Sequence, residues 1–78
     1  MADKFVEEAE LGALAKKCRE AAAVTRAQAA RDCRVARPTI FYAEEEPERG
    51  LHKLRKQIIE CYSEYEVIGP VYLLRKKR

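Results

Sequence analysis

Residues 25–44 read TRAQAARDCRVARPTIFYAE, and this stretch decides the fold. Thr25 is a good N-cap, and Gln28, three residues on, fits a capping box. Together they predict a short helix over Arg26–Cys33 with Ala29, Ala30 and Cys33 facing inward. The pattern breaks at Arg34-Val35-Ala36-Arg37. Pro38 then stands in the first turn of a second helix, where a missing N–H costs nothing. Glu44-Glu45-Glu46-Pro47 closes that helix. Two short helices joined by a tight turn form a helix-turn-helix. Their steep crossing requires a small residue at the closest approach, and Ala30 occupies that place. Ala29, Cys33, Val35, Ile40 and Ala43 lock the angle from inside, which leaves Arg37, Pro38, Phe41 and Tyr42 on the outer side.

Working outward, Asp3 is placed to cap a first helix running to about Ala22. Its stripe is Phe5, Ala9, Leu11, Leu14, Ala15, Cys18 and Ala22, with Lys16, Lys17 and Arg19 off the stripe and facing water. A fourth helix over 51–62 is amphipathic through Leu51, Leu54, Ile58 and Cys61, with Lys53, Arg55, Lys56 and Glu60 opposite. Beyond it, Tyr65, Val67 and Ile68 precede Gly69-Pro70, and Val71, Tyr72, Leu73 and Leu74 follow. Two such β-rich runs suit a hairpin or a lone strand, while a short helix opened by Pro70 is the rival. The expectation is a mainly α fold of four to five helices over residues 1–63. A C-terminal segment, 64–78, carries apolar residues that are hard to bury alone, and so suggests contact with a second copy.

The chain has 78 residues, 47% apolar and 37% charged. That is one small domain, too apolar for disorder and without the run of about 18 apolar residues that a bilayer span needs. The N-terminus turns acidic too early for a secretion signal, so the expected location is the cytoplasm, with the nucleoid. Cys18, Cys33 and Cys61 are far apart and His52 is the single histidine. Neither a zinc site nor a Cys/His or Ser/His/Asp constellation can be assembled from these spacings. The three thiols read as buried small hydrophobes, and the chain reads as no enzyme, with no metal, cofactor or small-molecule ligand. Residues 1–50 carry nine Lys/Arg against ten Asp/Glu, whereas residues 51–78 carry seven against three. Arg26, Arg31, Arg34 and Arg37 face only Asp32 within 26–42. Basic charge gathered in this way is a possible phosphate footprint, although a solvated basic face is the commoner meaning.

The 25–44 stretch resembles the helix-turn-helix of phage repressor and Cro-like regulators, the XRE family. The likeness extends upstream through Leu14–Glu20 and downstream through Leu51–Ile59. Ala30, Val35, Thr39-Ile40 and Glu44 in register carry it. The resemblance implies a lambda-repressor-like domain. Three departures are visible: Arg34 and Ala23 stand where the family commonly has Gly, and Ala36 stands where Ser or Thr opens the second helix. A non-Gly residue in a left-handed turn costs on the order of 1 kcal/mol.

What the resemblance implies for function is a sequence-specific double-stranded DNA-binding regulator, a repressor acting as a homodimer on a pseudo-palindromic operator. Arg37, Pro38, Phe41 and Tyr42 would then meet base edges, Arg37 as a bidentate contact to guanine and the two aromatics against thymine methyls or the groove wall. Thr25, Arg26, Gln28, Arg49 and Lys53 would meet phosphate. Tyr65, Val67, Ile68, Val71, Tyr72 and Leu73 would form the dimer element. Two points stay open. Phe41 reads alternatively as a core aromatic. Glu44, Glu45, Glu46 and Glu48 either face the duplex and repel it, or Glu44 is a buried or capping carboxylate and the others turn away. The alternative function is a protein-interaction module, antitoxin- or adaptor-like, that keeps the fold.

Overall fold

A computed structural model describes residues 4–69 and 72–77. It is mainly helical: β1 (Lys4–Val6), a 3-10 turn (Glu8–Glu10), α1 (Leu11–Ala21), α2 (Arg26–Cys33), α3 (Arg37–Glu45), α4 (His52–Tyr62), β2 (Tyr65–Ile68) and β3 (Tyr72–Lys76). None of the helices is long and apolar enough to cross a membrane among the described residues.

The first helix starts later than its stripe suggests. Phe5 lies in β1, 71% exposed, and Ala9 is exposed, so neither belongs to the helical face. Asp3, the expected cap, lies outside the described residues. The helical path begins instead where the Glu7 N–H donates to the Glu10 carboxylate at 2.8 Å, half of a reciprocal capping box. Leu11, Ala15 and Cys18 are buried as expected, whereas Ala22, already past the helix end, is exposed.

Both junctions before the long stretch closes are the same device. After α1, Val24 N–H donates to Arg19 C=O at 3.1 Å and Ala23 N–H to Glu20 C=O at 2.9 Å. After α2, Val35 N–H donates to Ala30 C=O at 3.0 Å and Arg34 N–H to Arg31 C=O at 3.2 Å. These are Schellman endings, which require a left-handed residue, and Ala23 (φ 59°) and Arg34 (φ 58°) supply it. Both positions where Gly was missing from the pattern therefore keep the left-handed geometry with a side chain in place.

Thr25 caps α2 as read, its hydroxyl accepting from Gln28 N–H at 3.1 Å. The capping box stays half-formed, because the Gln28 side chain donates to Asp32 at 2.8 Å and accepts from Arg31 at 2.7 Å. Ala36 opens α3 with no side-chain cap, and Pro38 sits in its first turn.

The C-terminal residues form an antiparallel hairpin of β2 and β3, not a helix. Pro70 and Val71 lie outside the described residues. The sheet has a third strand that sequence reading did not foresee: its order is β1-β3-β2, with Phe5 opposite Leu73 and Val67 opposite Leu74. Val6, Val67 and Leu74 point inward and join one core with Leu11, Ala15, Ala29, Ile40, Ala43, Leu54, Ile58 and Ile59. β2 and β3 thus contribute to the same core as the helices.

On α4 the buried face is Leu54, Arg55, Ile58 and Ile59. Cys61 is exposed, so only Cys18 and Cys33 behave as buried hydrophobes. Arg55, expected on the wet face, is 1% exposed. Its Nε donates to Ala43 C=O and its Nη2 to Glu46 C=O, both at 2.8 Å. A cation on the last carbonyls of α3 satisfies groups that the helix itself leaves unpaired. Against the same end of α3 lies Gly12, where a Cβ would stand 2.6 Å from the Ala43 oxygen. Only a residue without a side chain lets α1 come this close.

Candidate nucleic-acid interface

The helix-turn-helix is locked from inside as the spacing requires. Ala29, Ala30, Cys33, Ile40 and Ala43 are buried and Val35 packs against them. Tyr62 on α4 donates to Asp32 at 2.5 Å and ties α2 to the last helix. Burial pushes the Tyr62 phenol up, and the Asp32 bond pushes the same way. That bond, followed by the one from Gln28, holds the Asp32 carboxyl below its ordinary range.

The acidic run that ends α3 is tied into the protein by ion pairs. Glu44 is 4% exposed and so is a buried carboxylate, whereas Glu45 and Glu48 are exposed. Arg19 Nε donates to its Oε2 at 2.6 Å, Arg19 Nη2 to its Oε1 at 3.0 Å, and Arg26 Nε to the same Oε1 at 3.0 Å. Arg19 also donates to Val24 C=O at 2.7 Å, so one guanidinium joins α1, the loop before α2, and α3. The bond to Glu44 keeps the Arg19 guanidinium charged despite its burial. Sequence reading placed Arg19 in water. It missed this pair because the two partners lie 25 residues apart and neither carries a local signal. Glu45 accepts from Lys16 at 2.8 Å and Arg26 at 2.7 Å, and Glu46 from Arg49 at 2.8 Å. The three carboxylates are therefore neutralised from within.

The same bonds redistribute the basic candidates. Arg26 is held on Glu44 and Glu45, and its guanidinium carbon lies 5.0 Å over the Phe41 ring. Arg49 is held on Glu46 and lies 4.1 Å over Tyr42. The Thr25 hydroxyl caps its own helix and Gln28 is engaged along α2. Of the five phosphate candidates, Lys53 alone is exposed with no ion pair or side-chain hydrogen bond among the described residues.

On the outer edge of α3 the arrangement is the reverse. Arg37 and Pro38 are exposed, and Phe41 is 41% exposed, so it is no core aromatic. Tyr42 is half-buried, and the Phe41 ring meets it edge-to-face at 5.8 Å. Arg34, in the turn before α3, is also exposed and is not one of the site residues that the sequence singles out. Its left-handed backbone, which stands it out at the corner between the helices, was the available signal. Among the described arginines, Arg34 and Arg37 alone have a guanidinium with neither a hydrogen bond nor an ion pair.

The dimer residues fare differently from expectation. Val67 is 3% exposed in the protomer's own core, so it offers no surface to a second copy, and Tyr65 packs against the same core. β3 is paired on both sides. The Val67 N–H donates to Glu60 at 2.8 Å and the Tyr65 N–H to the Ser63 hydroxyl at 3.1 Å, which blunts the β2 edge. Ile68 is partly exposed, Val71 lies outside the described residues, and Tyr72 and Leu73 are placed in β3 by backbone alone. No group of three or more His, Cys, Asp or Glu side chains among the described residues is arranged to hold a metal ion.

Comparison with known proteins adds no identification: no family model, no curated protein and no solved structure matches the chain.

Proposed function

We propose that this chain is a sequence-specific double-stranded DNA-binding transcriptional regulator that acts as a repressor by occluding a promoter. The observation that supports it most is the pair Arg34 and Arg37, exposed and unpartnered at the corner and start of α3 while the other described arginines are engaged. Cations left without a protein partner, on a helix projecting from a rigid helix-turn-helix, suit an anionic duplex. In this reading α3 enters the major groove and Arg37 makes a bidentate contact to guanine. Lys53 reaches the backbone on the flank. The internal pairing of Glu44, Glu45 and Glu46 lowers the repulsion that an acidic run would otherwise present to phosphate.

One nine-residue helix reads only a few base pairs, so selectivity requires two copies on half-sites about 34 Å apart. A homodimer on a pseudo-palindromic operator is the economical arrangement. Its contact surface lies away from β3 and the blunted β2 edge, and Phe5 on β1 is a large, exposed apolar side chain available to it.

The test is binding of random-sequence duplex across a salt titration, followed by selection of tight sites from a random pool. The expected result is binding that falls steeply with salt and a selected site with two-fold symmetry. No binding at low salt would overturn the proposal in favour of a protein-interaction module.

A further inference from the structure

Resting on the duplex-binding reading, we infer that Phe41 is the specificity-determining residue for a 5-methylpyrimidine, and that it works with Arg37 on a guanine one or two base pairs away. The two residues are four apart on α3, hence on one face and about 6 Å apart along its axis, against about 3.4 Å per base step. Arg37 supplies donors in a planar fork and has no carboxylate to hold it back. Phe41 supplies the opposite chemistry: a ring edge with nothing to donate or accept.

The major groove presents almost entirely polar base edges, and pressing an aromatic ring on one of them strands a donor or acceptor without its water. The exception is the C5-methyl of thymine. The ring is also held still. Arg26 lies over one face at 5.0 Å, Tyr42 meets it edge-to-face at 5.8 Å, and Arg26 is itself fixed by Glu44 and Glu45. A ring pinned in this way keeps a fixed apolar edge outward, and Arg26 is its positioning residue. Tyr42 does not share the role, because it is half-buried and Arg49 covers its ring at 4.1 Å. Since 5-methylcytosine carries the same methyl at the same ring position, it substitutes for thymine there.

The experiment uses the full chain and duplexes selected from a random pool. Each thymine of the selected site is replaced in turn by deoxyuridine, which removes the methyl and nothing else. One thymine within two base pairs of a guanine is expected to lose about fourfold in affinity. 5-Methylcytosine paired with guanine at that position is expected to bind better than cytosine. Phe41→Ala is expected to bind more weakly yet make no distinction between thymine and deoxyuridine. Tight binding with every thymine replaceable would overturn the inference and leave duplex binding standing, as would a Phe41→Ala protein that keeps the wild-type preference. A pool that yields no enriched duplex would overturn the duplex-binding reading and this inference with it.

Discussion

Two arginine-bearing faces of this molecule invite comparison. On one, Arg19 and Arg26 close around Glu44 and Glu45 and bind α1, α2 and α3 into a unit. At the other, Arg34 in the turn and Arg37 at the start of α3 are exposed, their guanidinium groups without an acceptor. Residue type is identical, and only the carboxylates at hand differ. A basic segment in a sequence therefore counts charges without saying which are presented. Here the first face builds the scaffold, and the second is what the scaffold displays.

The largest break in that comparison is Glu44→Ala. It leaves the Arg19 guanidinium buried without its partner, and removing one member of a buried pair costs about 3–5 kcal/mol. Chemical denaturation should show that loss, while replacing both residues by apolar ones of similar volume should restore much of it. Gly12→Ala is next. The added methyl meets the Ala43 carbonyl and forces α1 from α3, so a loss of about 1–3 kcal/mol is expected in the same measurement. Ala23→Gly runs the other way. Relieving a left-handed alanine should add about 1 kcal/mol, or roughly 4–8 °C in melting temperature.

Acid should act on the scaffold as well. The hydrogen bond from Lys16, reinforced by Arg26, holds the Glu45 carboxyl below its ordinary 4.5, and Asp32 lies below its ordinary 3.8. Depressed carboxyls contribute their stabilisation fully above the ordinary values and lose it as pH falls through the lower folded ones. Denaturation midpoints should therefore hold from neutrality to about pH 5 and fall below pH 4.5. In Glu45→Gln part of that acid limb should flatten. Tyr62 is shifted upward, so its contribution is whole below pH 10 and is lost above it.

The helix-turn-helix was legible because its signals are local. Thr25 caps, Pro38 stands in the first turn, Ala30 is buried, and the break falls at a left-handed residue, Arg34. The scaffold charges were illegible for the opposite reason. Arg19 and Arg55 occupy positions that periodicity assigns to solvent, and each is buried by acceptors on α3, Glu44 and the carbonyls of Ala43 and Glu46. β1 escaped notice because three residues carry almost no pattern, and its partner strand begins 66 positions later. Cys61 was mistaken for core by one step of phase on α4, where Ile59 faces inward instead. At the candidate site, the exposure of Arg37 and Phe41 follows from their outward spacing. The ion pairs of Arg26 and Arg49 were not legible, because a guanidinium's partner depends on tertiary placement.

The smallest effect on stability carries the central claim. Arg37→Ala touches no partner, so its folding free energy should stay within about 0.5 kcal/mol of wild type. The deciding measurement is the affinity of wild type and Arg37→Ala for a selected duplex and for a random one, under identical salt. The account predicts a loss of about tenfold or more on the selected duplex and little change on the random one. An equal loss on both, or no binding of either duplex at low salt, would contradict it.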